Sequence, residues 1–425
     1  DWSSDVCSSD LEDGVALAVA GMVASRRVMR VLLVHNEYQQ PGGEDTVAAR
    51  EAALLRARGH EVIEYRRSNR EIAQFGLAQK LALPWRAIRA RDAGDDLRRL
   101  IRAHRPDVAH FHNTFLLISP AAYAVCRELG VPVVQSLHNP RLLCPSANFY
   151  RDGAVCQDCV GRTPPWPGVW HGCYRQSRAQ TALVAGMLTA HRWRGTWQRD
   201  VDAYIVFTEF YRQQFVDGGL PAEKIFIKPH FVDPDPGPRE NGAGRYALFL
   251  GRLDPEKGIR TLLAAWKRTG QRPLRVGGDG QLRNEVEQTA RDLPAGTVEC
   301  VGWVPREKVS ELIKGAAFLV WPSEGYFETF GLVAIEAFAC GVPVIASRLG
   351  VLQEVVTDGR TGLHFAAGDA TDLAEKVTWA FSHPAEMAGY GRAARAEFEA
   401  KYTAERNYGL LMEIYERCEI GRAHV

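Results

Sequence analysis

Glu328 and Glu336 stand in YFETFGLVAIEAFACG (Tyr326–Gly341), a stretch otherwise patterned for burial. Glu328 falls in a loop leading to Gly331. Glu336 falls inside the apolar helical pattern from Gly331 to Ala339, about a turn and a half beyond its start. The start of a helix offers free N–H groups and the positive end of the dipole, so a diphosphate can rest there. A carboxylate beside a phosphate repels it unless hydroxyl donors engage the carboxylate, and sugars carry such donors. Glu336 can accept both hydroxyls of a ribose, and Glu328 can hold hydroxyls of a transferred sugar. The plainer alternative makes Glu328 a helix-capping acid and Glu336 a solvent-facing residue, but the surrounding motifs weigh against it.

Those motifs are loops at the ends of strands. In GRLDPEKG (Gly251–Gly258), Arg252 can fork two hydrogen bonds onto a phosphate and Lys257 adds a mobile point charge. In VGGDG (Val276–Gly280), Gly278 and Gly280 are expected to let the backbone approach a ligand. In Gly302-Trp303-Val304, backbone groups can bond a nucleobase edge while Trp303 walls the pocket. Nearer the N-terminus, Gly42-Gly43-Glu44 opens a helix after the first strand, placed to cap phosphates. His110 and His112 share one face of the strand Asp107–His112, and His138 ends the next strand. A histidine so placed can donate to a sugar hydroxyl or a leaving oxygen, and His112 is preferred over His110 for that role. Asp200-Val201-Asp202 and Asp233-Pro234-Asp235 are D-x-D strings, but they fall in a strand start and a linker. A metal–diphosphate role is rejected for both, and no cofactor is required for the chemistry.

Four cysteines form a separate cluster: Cys144, the Cys156-Gln157-Asp158-Cys159 pair and Cys173, set among prolines, tryptophans and glycines. One tetrahedral zinc with four thiolates suits this pattern, and His171 is a substitute ligand. Four reduced thiols or two disulfides are the other arrangements.

The elements that position these residues alternate. Arg30–His35, Glu61–Tyr65, Asp107–His112, Pro132–His138 and Val201–Thr208 read as strands, with helices at Gly42–Arg58, Arg98–Arg105 and Pro120–Leu129. DPDPGPRENGAG (Asp233–Gly244) breaks the pattern, which then restarts with strands at Tyr246–Gly251, Leu274–Gly277, Thr297–Gly302, Ala317–Trp321 and Pro343–Ala346. This predicts an α/β chain of two doubly wound, Rossmann-like domains facing a central cleft. The first is expected over 29–232 with a Cys-rich insertion at 143–174, followed by a linker at 233–244. The second is expected over 245–385, and helices at 386–418 pack back across the hinge. The net charge of +1 gives no field for nucleic acid, and no apolar run is long enough to span a membrane. Arg66–Arg105 is rich in arginine around LALPW (Leu81–Trp85), which suits peripheral contact with anionic lipid. Asp5–Leu11 (DVCSSDL) and Glu419–Val425 (EIGRAHV) can be encoded by complementary strings that resemble a sequencing-library adapter. Residues 1–28 and 419–425 are therefore expected to be non-native, with the chain proper starting at Met29. VALAVAGMVAS imitates a signal peptide, but Arg26 and Arg27 follow the apolar run rather than precede it, so a cytoplasmic location is expected.

GRLDPEKG, GGDG, GWV, then Glu328-Thr329-Phe330-Gly331 with Glu336 beyond it, and GVPVI (Gly341–Ile345) together resemble the nucleotide-binding half of family 4 glycosyltransferases, of the group 1 type. The likeness runs from Tyr246 to about Leu363 and is looser in the N-terminal half. It implies a retaining enzyme of the GT-B fold, active in polysaccharide biosynthesis, that takes a nucleoside-diphosphate sugar donor and a glycan or lipid-linked acceptor. By resemblance, Arg252 and Lys257 hold the diphosphate and Glu336 the ribose. Glu328, with Phe330, Gly331 and Leu332, holds the donor sugar, and His112 sits near the reacting sugar. A nucleotide-sugar epimerase of the same fold and a non-catalytic binding module are the alternatives. The E-x-F-G pattern with its second glutamate counts against the first, and intact Arg252, Lys257, Glu328 and Glu336 against the second.

Overall fold

The structure is a computed structural model, and it describes residues 27–39, 42–240, 244–326 and 328–423. The expectation of a non-native segment at 1–28 falls almost wholly outside these residues.

Short β-rich runs bounded by Gly, Pro and Asp form two six-stranded parallel sheets, in line with the doubly wound expectation. The first sheet contains β1 (Arg30–Glu37), β2 (Glu61–Ser68), β3 (Val108–Asn113), β4 (Val133–Ser136), β7 (Ala203–Val206) and β8 (Ile225–Ile227), in the order β2-β1-β3-β4-β7-β8. A small antiparallel hairpin, β5 (Tyr150–Arg151) with β6 (Ala154–Val155), stands outside it. The second sheet contains β9 (Tyr246–Leu250), β10 (Leu274–Gly277), β11 (Val298–Gly302), β12 (Ala316–Trp321), β13 (Val344–Ser347) and β14 (Gly362–Phe365), in the order β11-β10-β9-β12-β13-β14. In each sheet the strand order reverses once, beside β1 and β3 in the first and beside β9 and β12 in the second. Open α/β sheets leave a crevice at that point, outside the carboxyl ends of the strands.

Six helices matter most below: α1 (Gly43–Ala57), α2 (Leu83–Ile88), α3 (Arg178–Trp193), α4 (Leu332–Ala339), α5 (Pro384–Lys401) and α6 (Ala404–Ala423). Helix α4 reads LVAIEAFA, in which Leu, Glu and three alanines are good helix formers. It stops at Gly341, whose φ of +66° admits the left-handed turn that sends Val342 N back to Ala337 O at 2.9 Å. One apolar cluster runs from the first sheet through Phe330, Ile335 and Phe338 of the second domain, so the two domains share a core. A second cluster fills the opposite face of the second sheet.

Two boundaries differ from expectation. Residues expected to form a free linker are tied to the second domain: Asp235 pairs with Arg395 at 2.7 Å, Lys314 donates to Pro236 O at 2.6 Å, and Arg239 N bonds Cys340 O at 2.9 Å. The expected returning segment 386–418 is also two things. Helix α5 stays on the second domain against α4. Only α6 reaches the first domain, after Val232 N bonds Tyr402 O at 3.1 Å.

Candidate active site

The loops after β9 and β12 flank the second switch point, and they carry the residues singled out by chemistry. After β9, Arg252 bonds Asp254 at 2.6 Å and leans toward Glu256, with its guanidinium 65 % exposed. Lys257, mostly buried, bonds Glu328 Oε1, which also accepts from Ser323 Oγ at 3.1 Å and Trp321 Nε1 at 3.3 Å. Burial pushes the Glu328 carboxyl up, but Lys257 and these donors outweigh it and hold the group below the usual carboxylate range. Glu328 Oε2 has no protein donor among the described residues. Gly331 is fixed by packing: a Cβ there would lie 2.1 Å from the Trp321 ring, and φ is +95°. Glu336 takes Arg306 and Arg50 on Oε1, both at 3.3 Å, and leaves Oε2 without a protein partner among the described residues. Burial raises its pKa and Arg306 opposes the rise. Trp303 is 72 % exposed at the end of β11.

The GGDG glycines are also required by packing. A Cβ on Gly278 would sit 1.8 Å from Gly251 O, and one on Gly280 would sit 2.7 Å from Leu253 N. Their bareness lets the two loops pack on each other. Three of the four D-x-D carboxylates are occupied too: Asp200 pairs with Arg127 at 3.2 Å, Asp202 accepts from Val133 N at 2.7 Å, and Asp235 holds Arg395, while Asp233 is exposed.

Across the crevice, the ends of β1, β3 and β4 bring the histidines together. His112 Nδ1 and His138 Nε2 are 2.9 Å apart, and His112 Nε2 lies 3.3 Å from Glu51. His110 stacks on His112 at 4.4 Å, but Tyr415 OH and Ser136 Oγ engage both of its ring nitrogens. Burial holds all three imidazoles below their usual pKa, so they are neutral hydrogen-bonding groups at pH 7. His112 and His138 line a cavity of about 50 Å³ with Glu44, Asn139 and Arg141. Glu51, His110 and His112 place ligand atoms within 4.8 Å of one another, as a metal centre would. The Lys228 ammonium already sits on Glu51, however, so the group is a charge-balanced network.

The two halves meet at this point. Thr329 Oγ1 donates to His138 O at 3.0 Å, Arg50 of α1 reaches Glu336, and the Gly43 Cβ direction points at Leu332, 3.7 Å away. Glu354 accepts from Glu209 N and Phe210 N at 2.8 and 2.9 Å, joining the domains further out.

Two adjoining family models match the chain: Glycosyltransferase Family 4 over residues 41–236 and Glycosyl transferases group 1 over residues 235–397. The chain belongs to the family 4, group 1 glycosyltransferases. Among curated relatives, this glycosyltransferase is 26% identical to glycogen synthase of Mycobacterium tuberculosis, over 78% of its own length and 72% of that protein. It is 32% identical to a D-inositol 3-phosphate glycosyltransferase of Gordonia bronchialis, over 51% of this chain and 53% of that one. The first relative, an uncharacterized glycosyltransferase of Methanocaldococcus jannaschii, is 31% identical over 41% of this chain and 49% of its own. The match thus spans about half the length of several relatives. Two solved structures share the GT-B fold. Sucrose-phosphate synthase from Thermosynechococcus elongatus has TM-score 0.66 and 20% identity, covering 92% of this chain and 98% of that one. Anabaena HepE in complex with UDP and glucose has TM-score 0.63 and 17% identity, covering 92% and 100%.

In this glycosyltransferase several groups escaped the reading of sequence: Arg50, Glu51, Lys228, Arg306, Asn139 and Glu44 as a half-buried acid. Only Glu44 carried a signal, as the residue after Gly42-Gly43. Its Oε2 accepts from Asn139 Nδ2 at 3.3 Å, and burial pushes its pKa up to about 8. From its ordinary 4.5 up to about 8, the folded chain therefore holds a proton that the unfolded chain releases. The contribution of Glu44 to stability then falls as pH rises through that window. Glu44→Gln is expected to gain Tm relative to the parent across the window and to match it at lower pH. Parallel Tm–pH curves for the two proteins would remove the buried-acid assignment.

Proposed function

We propose that this chain moves a sugar, with retention at the anomeric carbon, from a nucleoside-diphosphate sugar to a polysaccharide or lipid-linked acceptor. The observation that carries the reading is the grouping of Arg252, Lys257, Glu328 and Glu336 at one switch point, opposite Gly43 and His138. Arg252, Lys257 and the N–H groups at the start of α4 would stabilise the negative charge on the departing diphosphate. Lys257 would then share itself between Glu328 and phosphate. Glu336 Oε2 would take the ribose, and Glu328 Oε2 the transferred sugar. His112, His138 and Glu44 would face that sugar or the acceptor as neutral partners. Trp303, Val304, Gly278 and Gly280 belong to the loops that would border the base and phosphates. The reading requires no metal at the diphosphate.

The test is a thermal-shift screen with UDP, GDP, ADP and their sugar conjugates, with and without a chelator. A ligand that binds only the folded state raises Tm. Selective stabilisation by one nucleotide is expected, unchanged by the chelator. Glu336→Ala, losing a hydrogen bond to a charged group worth about 1.5–3 kcal/mol, is expected to weaken nucleotide binding roughly tenfold or more. A folded protein stabilised by none of these ligands would overturn the reading.

Contact with an anionic membrane surface is a second part of the proposal. Many arginines of the basic stretch are neutralised: Arg67 pairs with Glu71, Arg86 with Asp92, and Arg98 with Glu128. What remains is more focused. A groove of about 1200 Å³ runs between α2 and α3, with Trp85 and Trp193 exposed on its edges. Arg89, Arg91 and Arg194 line it without a carboxylate partner among the described residues. Indole edges with unpaired cations suit the lipid headgroup region. No described helix is long and apolar enough to cross a membrane. Flotation with phosphatidylglycerol-containing vesicles is expected to carry the protein at low salt, and the paired Trp85→Ser and Trp193→Ser changes to abolish this. Equal binding by the variant, or none by the parent, would exclude this face.

A further inference from the structure

The cysteine-rich segment does nothing in the reaction proposed above, and its order needs another cause. Residues 143–174 hold only the two-residue strands β5 and β6 and one six-residue helix, Trp166–His171. Cys144, Phe149 and Cys159 are buried, but Trp166 and Trp170 face solvent. Leu143, Cys144 and Phe149 join the main apolar cluster, but the rest of the segment has little core of its own, and a cross-link would add to its order.

All four cysteines, from three separate places in the segment, line one cavity of about 10 Å³. That is at or below the room a single water needs, and it suits a bare ion. None of the four forms a disulfide. The backbone prepares one sulfur as an acceptor: Gly168 N donates to Cys159 Sγ at 3.2 Å, and a Cβ on Gly168 would lie 3.3 Å from that sulfur and 3.1 Å from Pro145. The hairpin turn at Asp152-Gly153, with φ of +53° and +82°, delivers Cys156 directly. Cys173 N bonds Gly168 O at 3.0 Å, which sets the fourth thiol. His171 is solvent-exposed and does not line the cavity, so it drops out as a substitute ligand.

We propose that Cys144, Cys156, Cys159 and Cys173 bind one Zn²⁺ as four thiolates, which would cross-link the segment around the β5–β6 hairpin. At its base, Arg192 donates to Leu142 O at 2.6 Å, and Gln157 bonds Gln214, so the segment is anchored in the first domain. No three of the sulfurs fall within 4.8 Å of one another. Binding with Zn–S bonds near 2.3 Å therefore draws the loops inward and releases protons from the thiols. The proposal is independent of the donor assignment.

The test uses the full chain, reconstituted with zinc under reducing conditions, desalted, and analysed for metal. About one zinc per chain is expected, with loss of most of it in Cys156→Ser/Cys159→Ser. Cobalt replacement in the parent chain gives a reading that needs no variant. Tetrahedral thiolate ligation is expected to show intense visible bands and sulfur-to-cobalt charge transfer. Failure to retain zinc, a cobalt spectrum without thiolate bands, or equal zinc in the double variant would each overturn the proposal. Finding two disulfides by intact mass in the reduced preparation would do the same.

Discussion

Lys257→Ala is expected to lower kcat by about 10²–10³-fold, the cost typical of removing one preorganised group aimed at developing charge. Lys257 is mostly withdrawn from water and already held by Glu328, so its charge is in place before any donor arrives. A cation held in this way needs no reorganisation at the moment the diphosphate departs. The alternative is that Lys257 exists only to neutralise Glu328. In that case Lys257→Ala lowers Tm and weakens donor binding while kcat stays near the parent value. Glu328→Gln separates the two roles further, because it removes the opposing charge without removing the ammonium. Initial rates across donor concentration, measured for both variants beside Tm, decide the matter.

The largest effect on stability is expected from Lys228→Ala. Lys228 and Glu51 are fully buried and bonded to each other, with Asn407 completing the ammonium at 3.3 Å. Taking away one member of such a pair strands the other charge in the interior and costs about 3–5 kcal/mol. Glu51 would be left beside the neutral rings of His110 and His112. Replacing both charges, as Lys228→Met with Glu51→Leu, is expected to recover most of that loss, because the desolvation of both groups disappears as well. Denaturant unfolding of the three proteins reads this directly. A single variant that loses less than about 1 kcal/mol would show that water or another group reaches Glu51.

Local patterns were legible in the sequence wherever the chain itself supplied the signal. Strand β10 spans Leu274–Gly277, as the short run between Pro273 and Gly278 predicts, and β9, β11, β12 and β13 start or stop within a residue or two of their expected ends. Arg252, Lys257 and Glu328 stood out because each follows a strand and precedes a helix, and Glu336 because it interrupts the apolar pattern of the next helix; that context is written in neighbouring residues. The edge strands β8 and β14 were missed. With three and four residues, they carry too short an alternation to separate from a loop. Helix α3 was missed as well, since Gly186 and Thr189 dilute its helical pattern. Charge pairs across the fold left no trace. Glu51 lies between Arg50 and Ala52 in an ordinary charged helix, and its partner Lys228 is 177 residues away. Arg50 reaches Glu336 over a separation of 286. Only tertiary packing turns these surface-like residues into interior ones.

The last helix gives the chain an order of events in time. Asn407 completes Lys228, Tyr408 bonds His60 at 2.8 Å, and Tyr415 bonds His110 at 2.7 Å. A growing chain leaves the ribosome from its N-terminus, so earlier domains normally settle while later ones are still being made. Here the first domain emerges with three interior polar groups, Lys228, His110 and His60, whose α6 partners are translated 179, 305 and 348 residues later. Its final packing must wait for the whole second domain to appear, and the two domains therefore mature together once α6 has been made.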